Sequence, residues 1–198
     1  MNIWAQIFAY ALVGVFSQNV IFTVGVGAER ALRLPISSRR VLRTTGAVTV
    51  FSFISVSAMH LIRLGCAHVP ALNRFRVPLL VLCVAIAYLI VMIICRVCSA
   101  RAFKVAAEVL PSGAFNTVVV MVGISSQMLG LSFAQSVGYA IGTGVGFLLA
   151  TVLIHEAILS VDNADMSPAF VGLPSLLIYI GILAMAFIGV TGGPRLFL

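Results

Sequence analysis

Carboxylates are nearly missing from this chain: Glu29, Glu108, Glu156, Asp162 and Asp165 are all it has, and charged residues of both signs make up only 9% of it. A chain of 198 residues with so few polar groups cannot cover the surface of a water-soluble globule. A soluble fold is therefore excluded. Also absent are a glycine-rich nucleotide loop, a nucleophile elbow and a His-Glu-x-x-His metal motif, so there is no self-contained active site of the soluble type. The four cysteines, Cys66, Cys83, Cys95 and Cys98, lie in or beside apolar runs and form no disulfide framework.

What is present is hydrophobic. Apolar residues make up 62% of the sequence, and the mean hydropathy is +1.19. A bilayer core roughly 30 Å thick takes about 20 apolar residues per helix, so the chain divides into six spans with short loops. These run over about 3–27, 41–62, 77–94, 105–127, 134–154 and 168–190. Residues 1–198 then form a single membrane domain. The run after Met1 has no basic residue ahead of it, and the first span is expected to be retained rather than cleaved as a signal peptide.

The net charge of +7 is explained by topology rather than by nucleic acid, because the basic residues lie between apolar runs. One side of the membrane receives Arg30, Arg33, Arg39, Arg40, Arg43, Arg96, Arg101 and Lys104. The other receives Arg63, Arg74, Arg76 and Arg195. The more basic side is cytoplasmic by the positive-inside rule, which puts both termini outside.

Two spans carry polar interruptions. Ser17, Gln18 and Asn19 fall where the first span should cross the midplane, and Pro111, Gly113 and Asn116 argue for a break in the fourth. In each, an Asn is followed six or seven residues later by Gly: Asn19 and Gly25, Asn116 and Gly123. Three spans per half is an odd number, so matching halves, about 1–98 and 99–198, would be inverted repeats with interrupted first and fourth helices. Backbone exposed at such breaks must face protein or a cavity. Asn19 and Asn116 either line a site between the halves or bond across helix interfaces.

Other residues stand out less. Gly138, Gly142 and Gly146 recur every four residues and predict close helix packing. The Ser and Thr residues of the second span are expected to bond back to their own helix. Glu108, just before Pro111, is either an ion-pathway carboxylate or a snorkelling group paired with Lys104 at i, i+4. Cys95 and Cys98 have C-x-x-C spacing but make only half a metal site, and inert or acylated juxtamembrane cysteines fit as well.

The second half resembles the Rnf/Nqr family of small six-helix membrane subunits, of the RnfA and NqrE type. The resembling stretches are Leu110-Pro111, Phe115-Asn116-Thr117, Ala134-Gln135-Ser136, Val145-Gly146-Phe147 and the run Ala184 to Gly189, with Gln18-Asn19 a looser match in the first half. The resemblance implies an all-α fold of two inverted three-helix repeats and a place in the bacterial inner membrane. It further implies a paralogous six-helix partner and, shared with it, a 2Fe-2S iron–sulfur cluster held by cysteines of the interrupted helices. Here Thr117 stands where the family has its fourth-helix cysteine, and the first-helix position falls near Ala28 or Glu29. Neither is a thiolate, so no cofactor is expected in this chain. The implied role is a non-catalytic or redox-accessory subunit of an ion-translocating electron transport complex. The alternative is a secondary transporter, or the substrate-binding membrane component of an uptake system.

Overall fold

The computed structural model describes residues 2–28, 38–66, 74–161 and 172–191, and these contain helices and no strand. The helices are α1 (Ile3–Leu12), continuing into a π-helical turn (Val13–Ser17), α2 (Val20–Val24), α3 (Ser38–Cys66), α4 (Arg76–Cys98), α5 (Ala100–Ala114), α6 (Thr117–Met128), α7 (Phe133–Val161) and α8 (Leu173–Thr191). Among the described residues α3, α4 and α7 are long and apolar enough to cross a membrane, and α5 with α6 makes a fourth span bent by 47°. The runs 3–17 and 173–189 are shorter apolar helices. This is a helical membrane protein. The start of the expected sixth span, 168–171, lies outside the described residues, as do Glu29, Arg30, Arg33, Asp162, Asp165 and Arg195.

α3 and α7 form the centre. α7 packs along α1 and its π turn, while α3 packs along α5 and α6, and the two long helices also meet each other. Small residues permit this closeness. A methyl group on Gly138 would meet the carbonyl oxygen of Ile7, and one on Gly142 that of Ala11. One on Gly146 would sit 3.0 Å from both the Asn19 amide nitrogen and the Gly14 carbonyl. As the α7 numbering rises so does that of α1, so these helices run parallel. Gly113 packs on Ala47 and Val48, and Gly123 on Ser55 and Leu80, which makes α3 parallel to the bent pair.

Three expectations need correction. Arg39, Arg40 and Arg43 are not in a loop but in the first turns of α3, and Arg96, Arg101 and Lys104 likewise sit on helix ends. Arginine and lysine are good helix formers whose long stems carry the charge outward. The fourth span is broken as expected, with a 47° bend, but the break falls at Phe115-Asn116: α5 runs through Pro111, which lies in its last turn, and through Gly113, which serves the approach of α3, to end at Ala114. Nor are the two repeated glycines equivalent. Gly25, at φ 73°, closes α2, whereas Gly123 lies inside α6.

Candidate functional site at the two helix breaks

Both interruptions are built the same way. After Ser17 the Gln18 amide bonds back five residues to Val13, at 2.7 Å, and the helix ends. Asn19 then takes an extended conformation, and its Oδ1 accepts from the Ile21 amide at 3.2 Å, capping α2. In the second half α5 ends at Phe115, Asn116 is extended, and its Oδ1 accepts from the Val118 amide at 3.1 Å, capping α6. An Asn N-cap supplies the acceptor that free helical N–H groups need, a need that is sharper where water is scarce. Both residues are 1% exposed.

Their remaining atoms differ. Asn19 Nδ2 donates to the carbonyls of Val15 (3.0 Å) and Gly146 (3.2 Å), tying the first break to the centre of α7. Asn116 Nδ2 is buried and finds no partner, and neither does Oε1 of buried Gln18. The two breaks are neighbours, since a Cβ on Gly27, just past α2, would lie 3.3 Å from Asn116 Oδ1. Two unanswered polar groups, one donor and one acceptor, thus sit buried beside the helix ends.

A second polar group sits lower in the same interface and was not singled out in the sequence. Ser52 and Ser55 of α3, Ser125 of α6 and Tyr139 of α7 are each 0% exposed, and none of their hydroxyls has a hydrogen-bond partner. Tyr139 lies beside the Ser125 and Thr143 hydroxyls without meeting either in hydrogen-bond geometry. The expectation that the hydroxyls of the second span bond back to their own helix holds for Thr49, which donates to Thr45, and for Ser57, which donates to Phe53. It fails for Ser52 and Ser55, whose hydroxyls are buried without a partner, that of Ser55 lying against Gly123 of α6. Their only signal was Ser in an apolar helix, which does not say which way the hydroxyl turns.

Glu108 does not pair with Lys104. It binds Arg40 across the α3–α5 contact, Oε1 to Nη2 at 3.3 Å, with both side chains about half exposed (53% and 54%). Because α3 and α5 run parallel and side by side, an arginine from the neighbouring helix outcompetes the residue one turn back. Cys95 is half-buried and Cys98 exposed at the end of α4, on a different helix from either break. The described residues contain no grouping of three or more His, Cys, Asp or Glu side chains able to hold a metal. At the breaks, Thr117 opens α6 with an exposed side chain and Ala28 offers no donor atom. This donor set does not fit an iron–sulfur cluster, whose irons take thiolates.

No protein-family profile matches the chain. Curated proteins do match. The A subunit of the proton-translocating ferredoxin:NAD(+) oxidoreductase complex of Clostridium ljungdahlii is 37% identical over 79 residues, 40% of this chain and 41% of that protein. The A subunit of the ion-translocating oxidoreductase complex of Syntrophotalea carbinolica is 37% identical over 83 residues, 42% of this chain and 43% of the relative. That of Buchnera aphidicola is 28% identical over 111 residues, 56% and 57% of the two chains. The chain is similar to the A subunits of ion-translocating oxidoreductase complexes. The matched stretches span between 41% and 57% of these three relatives. These relatives agree with the Rnf/Nqr-like membrane subunit read from the sequence.

Proposed function

We propose that the chain is an integral membrane subunit of an Rnf/Nqr-like ion-translocating oxidoreductase complex, and that electron carriers are supplied by its partners. The similarity to the A subunits of several such complexes carries this reading. The Asn-capped breaks support it, because interrupted helices meeting inside a bundle bring backbone dipoles and buried polar groups to the membrane interior, as ion movement requires.

The finer architecture in this proposal is six spans in two inverted halves, with both termini outside the cytoplasm. Three observations favour it. Asn caps stand at the same point of the first and fourth spans. The second span of each half packs along the broken span of the other, with parallel direction in both pairs. Thr49 meets Gly144, and each lies eleven positions into a 29-residue helix, as residues on a twofold axis do. A paralogous six-helix partner and an inner-membrane location belong to the same proposal.

In this reading the residues at the breaks hold and orient. Asn19 fixes the first break against α7, while the Asn116 amide, the Gln18 carbonyl oxygen and the Ser52, Ser55, Ser125 and Tyr139 hydroxyls offer polar contact to water or an ion crossing the interface. Glu108, outside this cluster and paired with Arg40, would act at the rim. The chain has no cluster of its own in this proposal, and no electron-transfer step is routed through it.

The test is to tag the chain, extract native membranes in mild detergent and identify what stays bound, then to measure donor-driven ion uptake in vesicles with and without it. Retained flavin- and iron–sulfur-bearing subunits and loss of uptake on deletion support the proposal. Solute uptake by proteoliposomes holding this chain alone would overturn it in favour of a transporter. Stoichiometric iron bound by the anaerobically reconstituted chain, and lost on Cys95→Ser with Cys98→Ser, would overturn the claim that it holds no cluster.

A further inference from the structure

Cys95 and Cys98 share the last turn of α4 and stand outside the site at the helix breaks. Both are free thiols, Cys95 half-buried on the side of α4 that meets α3 and α5, and Cys98 exposed. Residues three apart lie on one helix face, with Cβ atoms about 5–6 Å apart. A disulfide needs about 3.5–4.5 Å. Within an intact turn the two thiols are therefore neighbours, one small movement short of bonding.

The end of α4 can make that movement. Cys98 is its last helical residue, and Ser99 after it is extended, at φ −167° and ψ 137°. The backbone bond across the pair, from the Ser99 amide to the Cys95 carbonyl, is 3.2 Å, at the long limit for such bonds. A terminal turn opens without disturbing the ladder behind it. The same corner also begins α5. Ser99 Oγ accepts from the Arg101 amide at 3.2 Å and its carbonyl from the Phe103 amide at 3.0 Å. Drawing Cys98 toward Cys95 turns the Ser99 backbone, and both of these bonds turn with it.

We propose that Cys95 and Cys98 form a reversible intrachain disulfide, a thiol redox switch whose closure uncaps α5. The oxidant is a low-molecular-weight disulfide such as oxidised glutathione. The exposed Cys98 thiolate attacks one glutathione sulfur, the glutathione disulfide breaks, and one glutathione leaves as its thiolate. The Cys95 thiolate then attacks Cys98 sulfur and expels the second glutathione. Two electrons and two protons pass from the cysteines to the glutathione pair, and excess reduced glutathione runs the exchange backward. The pair lies on a different helix from both breaks, and its chemistry does not depend on the proposed function.

The full chain, extracted in mild detergent with its bound partners, is equilibrated in glutathione buffers of graded ratio, alkylated under denaturing conditions and read by peptide mass spectrometry. Cys95 and Cys98 are expected to lose alkylation together, following the square of reduced over oxidised glutathione as a two-electron pair does, while Cys83 stays alkylated. Cys95→Ser should stop the exchange halfway, leaving a stable glutathione adduct on Cys98. Hydrogen exchange of the segment from Arg101 to Lys104 should quicken roughly fivefold on oxidation, as loss of one N-cap implies, with Val20–Val24 unchanged. A lasting glutathione adduct on Cys98 in the unaltered chain, Cys95 still alkylated in the most oxidising buffer, or a disulfide joining two chains would overturn the switch. Exchange at Arg101 to Lys104 that ignores oxidation, or that rises equally along the whole chain, would overturn the uncapping.

Discussion

Thr49 of α3 fills the space that Gly144 leaves on α7, its Cβ and Cγ2 lying 2.8 and 2.9 Å from where a methyl on Gly144 would be. The two helices are each 29 residues long, and the two residues occupy the same position in them. The contact therefore joins the two longest helices at their shared level. Enlarging Gly144 to Val is expected to cost about 1–3 kcal/mol through overpacking. Thr49→Ala should recover most of the loss. Thermal unfolding of the two single variants and the double variant in detergent would check this, and additive losses would show that the residues do not share this space.

The glycine stripe of α7 separates packing from propensity. Gly142→Ala puts a methyl against the Ala11 backbone, which cannot swing aside, so α1 must move and stability should fall by about 1–3 kcal/mol. Gly181→Ala on α8 meets open space and should be neutral, or stabilising by roughly 0.5–1 kcal/mol. Equal effects in a paired melting experiment would count against the α1–α7 contact.

The two asparagines should respond differently. Asn19→Ala removes a cap and the donor to the Gly146 carbonyl, at a cost of about 2 kcal/mol or more. Asn116→Ser keeps an acceptor for the Val118 amide and discards the buried, unpartnered Nδ2, so stability should hold or rise. Donor-driven ion uptake by complexes carrying Asn116→Ser is the informative second reading. A fall in uptake at unchanged melting temperature marks Nδ2 as functional, and unchanged uptake marks Asn116 as a cap alone.

Glu108 and Arg40 are both about half exposed, and an ion pair of that kind contributes roughly 0–1 kcal/mol. Glu108→Gln should leave the unfolding temperature nearly unchanged. If Glu108 serves ion entry, uptake in vesicles falls in Glu108→Gln while Arg40→Gln, which frees the carboxylate, retains it. Matching losses of stability in both variants would assign the pair a structural role instead.

The sequence by itself determined the membrane solvent, the long apolar helices and the break at Gln18-Asn19, because hydropathy and an isolated polar triplet are local properties of the chain. It named Asn116 too, but credited the fourth-span break partly to Pro111 and Gly113. Only packing showed that Pro111 ends a turn and that Gly113 makes room for Ala47. Partner choice was beyond the sequence for the same reason: Lys104 lies one turn from Glu108 in the chain, yet Arg40 is the residue that α3 carries to it. The hydroxyls of Ser52, Ser55 and Tyr139, and the spare donor of Asn116, were likewise hidden, since whether a polar atom is answered depends on which helix stands opposite. Periodicity fixes which residues share a helix face, whereas the tertiary structure decides what each face meets.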